Sequence, residues 1–397
     1  MIKPIPYGKQ EITSSDIDAV VQALKSDFLT QGPTIAMFES AFAKYVGAEY
    51  AVALSNGTAA LHLAVMALGV QEGEYVVCTP ITFAASSNCV RYCGGNVLFA
   101  DIDPETYLLD PKAVEKVILE NPDKKIVGVI PVDFAGRVAS LEAFHQLAKK
   151  YQLWVLEDAC HAPGGYFMDS SSTKQFAGNG VFADLTAFSF HPVKHIATGE
   201  GGMLTTNSEV LYHKLLKLRT HGITREVSEF TNSKDFANGC SDYSDYPLWY
   251  MEMNELGYNY RITDIQAALG LSQLSRATEN LERRIEIAKT YTEAFANCKH
   301  ILRSSGLVEG HAYHLYIIET EQRRALYDYL RSKNIFAQIH YVPTHLMPYY
   351  KNSGWKEGDF PHAEQYYTRC LSLPMYPSLT QEEQAYVIQT VIQFFHD

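Results

Sequence analysis

From Ala51 onward, short β-rich runs alternate with helical stretches, and this alternation restricts the fold more than any other feature of the chain. AVAL precedes TAALHLAVMAL, YVVCTP precedes FAASSNCVRYC, and NVLFADID precedes PKAVEKVILE. KIVGVIPVDF, SLEAFHQLAKKY, LWVLEDAC, DLTAFSF and GGMLTTN continue the pattern. Period-2 apolar runs separated by helical ones are the signature of crossover units on a largely parallel sheet, so the expected class is α/β. Such a sheet takes its ligands beyond the carboxyl ends of its strands. The search for chemistry therefore starts at those ends.

The remainder of the chain divides around this block. An opening arm leads through Ser14-Ser15-Asp16, small polar caps, into IDAVVQALKS, and LTQGPTIAMFESAFAKYVG feeds a second amphipathic helix. The stretch from Thr224 to Tyr250 is polar, aromatic and too long for an ordinary connection, which predicts a functional loop or a mobile one. Beyond it, a long helical region, HAYHLYIIET, RRALYDYLRSKN, FAQIHYVP and a last helix QEEQAYVIQTVIQFF read as a smaller α+β lobe. The expected division is a large lobe with the arm over residues 1–250 and a small C-terminal lobe over 251–397. No internal repeat is visible.

Composition excludes several classes. A formal charge of −12 leaves no global basic field for nucleic acid or an anionic membrane, so an anionic ligand has to be caught locally. The start, MIKPIPYGKQEITSSD, lacks the apolar core of a secretory signal, and no stretch stays apolar long enough to span a bilayer; the expectation is a cytoplasmic protein. Seven cysteines form no CxxC pair and read as reduced thiols, with no metal site expected.

Three segments carry candidate chemistry. In SNGTAALHLA, Ser55-Asn56-Gly57-Thr58 joins a strand to a strong helix former, leaving backbone N–H groups and a Thr58 hydroxyl able to hold a phosphate, although an ordinary capped turn explains the segment as well. In LWVLEDACHAPGG an apolar strand delivers Glu157 and Asp158 at its carboxyl end. An acid there can keep a cationic ring nitrogen protonated, and His161 follows three residues later; each also fits a structural role, as a helix cap or a satisfied histidine. In FADLTAFSFHPVKHIATGEGG a strand ends at Ser189, Lys194 follows five residues on, and TGEGG comes next. Glycines beside a lysine suggest close backbone approach to a ligand, and a shielded lysine acquires the lowered pKa that Schiff-base chemistry requires. His191 and His195 are four apart, but the intervening proline and the missing carboxylate argue against zinc.

Taken in order, phosphate loop, strand-end aspartate and lysine, together with LTQGP, NGTAALHL, TPITFAASSN, EDACHAPGG, SFHPVK, GEGG, LRTHGITR and LGYNYRITDIQAALGLSQL, resemble the pyridoxal-phosphate-dependent nucleotide-sugar aminotransferases of the DegT type. The likeness covers essentially the whole chain. PVDFAGR, SFHPVK, PLWYMEMNELGYNYR and IHYVPTHLMPYY are most similar to the branch that aminates a 4-keto sugar in pseudaminic acid synthesis.

The resemblance implies the fold type I architecture of pyridoxal-phosphate-dependent transferases, with a mostly parallel mixed sheet in the large lobe. It implies pyridoxal 5′-phosphate as cofactor, L-glutamate as amino donor, a nucleotide-linked 4-keto-6-deoxysugar as acceptor, and a homodimer. By the same resemblance Lys194 is the Schiff-base lysine and proton carrier, and Asp158 partners the pyridinium nitrogen. Phe83 covers one face of the ring, His161 lies against the ring or its phenolic oxygen, and Gly57, Thr58 and Ser189 bind the phosphate. Asn259 is expected to reach the cofactor phosphate of the neighbouring subunit, with Arg261 near the sugar-nucleotide phosphates; Tyr7, Thr30, His340 and Tyr341 match substrate-region motifs. Cys160 replaces the usual Ala or Ser, and His195 stands where an apolar residue is common. Another nucleotide 4-keto sugar, such as GDP-4-keto-6-deoxymannose or a UDP-4-ketopentose, is the rival substrate. Lys194 argues against the deoxygenating branch, which has histidine there. A non-catalytic, cofactor-bound regulator is the reading from another class, and no helix-turn-helix pattern or basic patch supports it.

Overall fold

In the computed structural model, which describes residues 3–396, the alternation becomes one seven-stranded sheet. In chain order its strands are β1 (Tyr50–Leu54), β2 (Tyr75–Cys78), β3 (Asn96–Phe99), β4 (Ile126–Ile130), β5 (Trp154–Asp158), β6 (Leu185–Ser189) and β7 (Gly202–Thr206). Across the sheet they run β1-β7-β6-β5-β4-β2-β3. β7 is antiparallel to both its neighbours, and the pairings from β6 across to β3 are parallel. The mixed, mostly parallel sheet has a local cause: no helix separates β6 from β7, and a connection without a crossover returns the chain antiparallel.

Burial follows from composition. Helix α3 (Gly57–Ala67, GTAALHLAVMA) is apolar almost all round and is buried along nearly its whole length. It contacts β6 and β7, and its Leu61, Leu63 and Val65 join Val77, Val129 and Leu185 in the largest core cluster. Removing a leucine of this kind costs about 2–5 kcal/mol.

A second core belongs to the C-terminal part. Ile287, Tyr291 and Phe295 of a long helix (Ala277–Phe295) pack with Tyr316, Ile318, Leu326, Leu330, Val387 and Val391. Ile5 from the N-terminal arm joins them, because Ile5–Pro6 pairs in parallel with Ile335–Phe336. Conversely, Ile262 and Ala267 pack with Phe38, Phe42 and Phe190 in a third cluster on the sheet side. Helix Asp264–Leu274, although it lies beyond residue 250, thus packs on the sheet side, where Ala277 and Ala312 join the same cluster. The loop before this helix folds around buried Glu252, whose carboxylate accepts from the Thr231 and Asn232 N–H groups (2.7 and 2.9 Å) and from the Tyr250 hydroxyl (3.0 Å). It presents Leu248 and Trp249 to solvent.

Among the described residues no helix is long and apolar enough to cross a membrane, and no group of three or more His, Cys, Asp or Glu side chains is placed to hold a metal ion.

The arm is fixed by one buried acid. Asp16 closes a capping box with Thr13 and accepts from Ser272 Oγ (2.6 Å), Gln273 Nε2 (2.9 Å) and Arg276. Burial alone raises its pKa, but hydrogen bonds from Ser272 and the Thr13 N–H, with the Arg276 guanidinium, hold the carboxyl below its usual range. A depressed folded-state pKa gives stability that is present above the unfolded value and is lost as pH falls through the folded one. Asp16→Ala is expected to cost roughly 3 kcal/mol at pH 7. The deficit against the parent protein should shrink in urea titrations as the pH is taken down through the unfolded-state carboxylate range, and a deficit that does not change with pH would contradict this account.

Candidate active site

A cavity of about 730 Å³ opens at the carboxyl ends of β1, β5 and β6. Ten of the thirteen residues singled out from sequence line it: Tyr7, Gly57, Thr58, Phe83, Asp158, His161, Ser189, Lys194, His340 and Tyr341. Three do not. Thr30 bridges to Thr263, Asn259 to Thr220, and Arg261 to Leu54 at the end of β1. The segment carrying Asn259 and Arg261 nevertheless runs beside the cavity: the Ser55 N–H donates to the Tyr260 carbonyl (2.8 Å), and Tyr260 is part of the lining.

β5 ends by delivering Asp158, nearly buried, to the cavity floor. Its Oδ2 accepts from Ser86 Oγ (2.6 Å) and its Oδ1 from the Cys160 N–H (3.2 Å). Ser86 is itself in contact with Thr82 Oγ1 (2.6 Å). A carboxylate held by two donors is oriented and stays ready to accept a further N–H. Sequence reading passed over Ser86, although TPITFAASSN had been marked for Phe83; only the fold brings residue 86 to residue 158.

Helix α3 begins beside this floor. Asn56 Oδ1 accepts from the Ala59 N–H (2.8 Å), closing the cap, while Gly57 and Thr58 are the first helical residues, whose N–H groups have no carbonyl one turn back. Ser189, ending β6, lies against Gly57: a Cβ at that glycine would stand 2.8 Å from Ser189 Cβ and 3.0 Å from its Oγ. Two N–H groups and two hydroxyls thus converge at a helix N-terminus, an arrangement suited to a phosphate.

Lys194 follows on the β6–β7 loop, its backbone N–H held by the His191 carbonyl (2.8 Å). Its half-buried side chain lines the cavity, and burial lowers its pKa, with Cys160 and Asp158 opposing in part. A lysine so displaced supplies a neutral, nucleophilic amine at lower pH than a solvated one.

Histidines close the far side. His161 meets the Tyr341 hydroxyl through Nε2 (3.3 Å) and leaves Nδ1 buried without a partner. Its ring lies 4.2 Å from that of His314, which lies 5.7 Å from that of His195. Burial first, then nearby charge (Lys194 at His161, Arg284 at His195, His161 at His314), holds all three well below the ordinary histidine range, which favours the neutral imidazole. His195, the residue out of place after the lysine, uses Nε2 on the Ala312 carbonyl (2.8 Å) and so ties the lysine loop to the chain entering the small lobe. His314 lines the cavity without having been picked out from HAYHLY. Phe83 stands at the cavity mouth, 62% exposed, with its ring 6.2 Å from that of Tyr341.

Known proteins resemble this chain over nearly its whole length. Residues 10–392 match the model of the DegT/DnrJ/EryC1/StrS aminotransferase family. The chain is 37% identical over 396 residues to the spore coat polysaccharide biosynthesis protein SpsC of Bacillus subtilis, covering 98% of this chain and 96% of that one. It is 34% identical over 393 residues to the UDP-4-amino-4,6-dideoxy-N-acetyl-β-L-altrosamine transaminase of Campylobacter jejuni, with the same coverage of 98% and 96%. Among solved structures it is similar to PseC of Helicobacter pylori, an aminotransferase involved in the biosynthesis of pseudoaminic acid, with a TM-score of 0.87, 28% identity, and 99% and 100% of the two chains covered.

The residues present fit the cofactor of that family, pyridoxal 5′-phosphate. A phosphate cradle that a single Cβ would fill, a fixed acid, an amine and a neutral histidine with an unpartnered ring nitrogen face one cavity. Gly57→Ala, whose Cβ would overlap Ser189 Cβ at 2.8 Å, is expected to weaken pyridoxal 5′-phosphate binding at least ~10-fold, about 1.4 kcal/mol, and to lower the thermal midpoint of the cofactor-free protein as well. Fluorescence titration checks the affinity, and an unchanged affinity would remove the phosphate from this corner.

Proposed function

We infer the reaction from the family: the chain belongs to the DegT/DnrJ/EryC1/StrS aminotransferase family and is a pyridoxal-phosphate-dependent sugar aminotransferase. We propose that it transfers the amino group of L-glutamate to the 4-keto carbon of UDP-2-acetamido-2,6-dideoxy-β-L-arabino-hex-4-ulose, giving UDP-4-amino-4,6-dideoxy-N-acetyl-β-L-altrosamine. The observation that carries the chemistry is the placement of Lys194 and Asp158 in one cavity with the phosphate cradle. The acceptor sugar is supported by the likeness to the Campylobacter jejuni transaminase and to PseC. The higher identity to SpsC favours a second reading, in which the same chemistry serves another nucleotide 4-keto sugar.

Bound pyridoxal phosphate supplies an electron sink that stabilises a carbanion; the protein supplies orientation and proton movement. Asp158, fixed by Ser86 and the Cys160 N–H, would hold a proton at the ring nitrogen. Gly57, Thr58 and Ser189 would hold the phosphate, and His161 and Phe83 would flank the ring. Lys194 Nζ, whose pKa burial lowers, takes a proton from the donor's α-carbon and, in the second half of the cycle, delivers one to carbon 4 of the sugar. Tyr7, Thr30, His340 and Tyr341 shape the acceptor side. Asn259 and Arg261, outside the cavity of their own subunit, serve that of a two-fold partner, Asn259 at the cofactor phosphate and Arg261 at the sugar-nucleotide phosphates. The working protein in this reading is a cytoplasmic homodimer.

Three outcomes test this reading. Glutamate-treated enzyme offered a panel of nucleotide 4-keto sugars should aminate the L-arabino UDP-sugar, identified by mass spectrometry and NMR; preference for another sugar overturns the acceptor assignment and leaves the family intact. Lys194→Ala should lower turnover by roughly 10³-fold or more while cofactor still binds through its phosphate, and near-parental steady-state transamination would remove Lys194 from its role. Exchanging subunits between Lys194→Ala and Arg261→Ala dimers should restore about half the parental activity per hybrid dimer, since one of its two sites then carries neither lesion. Verified hybrids without recovery would end the cross-subunit role of Arg261.

A further inference from the structure

The mechanism uses Asp158 and leaves unexplained two carboxyl groups beside it. Asp133, in the loop after β4, and Glu157, on β5, are both essentially inaccessible to solvent. Successive strand residues point to opposite faces, so Glu157 lies behind the sheet from Asp158. Asp133 is joined to the same strand end: its N–H donates to the Asp158 carbonyl (3.0 Å), and Val132 bridges to Asp158.

Each carboxyl has one oxygen satisfied and one orphaned. Asp133 Oδ1 accepts from the Ala139 N–H (2.8 Å), and Oδ2 has no other donor. Glu157 Oε2 accepts from Thr186 Oγ1 (2.6 Å) and the Gly178 N–H (3.0 Å), and Oε1 has no other donor. The two carboxyls lie within hydrogen-bonding reach of each other. Two ionised carboxylates in contact and out of water would repel strongly, and each would leave a bare oxygen. One proton removes both faults. The donors decide where it sits: Glu157 already has two, which favour its charge, whereas Asp133 has one. Burial, and then the Glu157 charge, raises Asp133 well above the usual carboxylate range; burial raises Glu157 too, but donors from Thr186, Asp133 and Gly178 pull it back.

We propose that Asp133 holds a proton on Oδ2 and donates it to Glu157 Oε1, so that a single buried negative charge is fixed on Glu157 and acts through Asp158 as a positioning charge. Two further ionisable groups interact with the pair: Asp158, on the same strand as Glu157, with both carboxyls, and Cys160, just beyond it, with Asp133. A fixed anion behind Asp158 raises that carboxylate's affinity for a proton-bearing partner and strengthens its hold on a cationic ring nitrogen. This last step rests on the role proposed above for Asp158; the shared proton does not.

Infrared difference spectroscopy of the holoenzyme at pH 7 tests the proton directly. A protonated-carboxyl C=O band should be present, should move when the aspartates carry carboxyl ¹³C, should not move when the glutamates do, and should vanish in Asp133→Asn. Absence of the band, or a band that ignores the aspartate label, overturns the proposal, and the label experiment decides on the unaltered protein should the variant not fold. The positioning charge is read separately. In Glu157→Gln the pH midpoint of the bound cofactor's visible absorbance should move down by ~0.5–1 unit, while Asp133→Asn, whose amide still donates to Glu157, moves it less. An unmoved midpoint in Glu157→Gln refutes the positioning role even where the infrared band is present.

Discussion

The active cavity depends on three strand ends converging on one edge of the sheet. β1, β5 and β6 all point their carboxyl ends the same way, and β7, inserted between β1 and β6, starts where they finish. The insertion brings the phosphate cradle after β1 and the lysine loop after β6 to the same edge as Asp158 at the end of β5. Gly202, which opens β7, passes so close to Asn56 that a Cβ there would meet its carbonyl oxygen at 2.5 Å. Had a crossover helix joined β6 to β7, the lysine and the cradle would not share a short loop edge. A parallel sheet usually gathers ligands where its strand order reverses; here one antiparallel strand gathers them instead.

Desolvation gives these groups their properties. The same burial that lowers the Lys194 pKa keeps His161, His195 and His314 neutral. In water, none of them would differ from an ordinary side chain. Inside, each becomes sensitive to the charge of its neighbours, and Lys194, when protonated, depresses the nearby histidines further. A proton on the lysine and a proton on this histidine group are therefore alternatives. The histidines accordingly offer packing and hydrogen-bonding surfaces beside the amine.

Much of this was legible in the sequence because it is local. The acid at the end of LWVLED and the lysine that ends SFHPVK just before TGEGG each sit in a short motif, and the β/α alternation is a succession of short units read one at a time. What escaped is what only folding juxtaposes. Ser86 lies 72 positions from the carboxylate it orients. His314, at a bend before strand Tyr316–Glu319, brings its ring to 4.2 Å from that of His161 at a tilt of 30°. Ile5 belongs to the C-terminal core, and helix Asp264–Leu274 to the N-terminal one, because apolar faces choose their partners after the chain has turned back. Periodicity identifies such faces without saying what they will meet.

The loop after β4 shows how the two lobes are made to share the site. Phe134 packs near His161 and Tyr341, with ring centroids at 6.2 and 6.1 Å. Beside it, the Gly136 carbonyl accepts from the Ala312 N–H (2.7 Å), and the Ala135 carbonyl from the Leu315 N–H (3.1 Å). Gly136 has a φ of +101°, and a Cβ there would stand 2.8 Å from the Tyr313 nitrogen, so only glycine admits this approach. From the opposite side, the buried Arg284 guanidinium donates to the carbonyls of Tyr313 and Met375 (both 3.1 Å). A buried cation without an acid partner is costly unless carbonyl dipoles surround it, and these come from two separate segments of the small lobe. The segment around residues 312–315 is therefore clamped between the loop that carries Asp133 and the helix that carries Arg284. His314 and, through His195, the lysine loop are held by the same clamp. A movement of the small lobe would be felt at Lys194 through this backbone, without any contact to the cofactor itself.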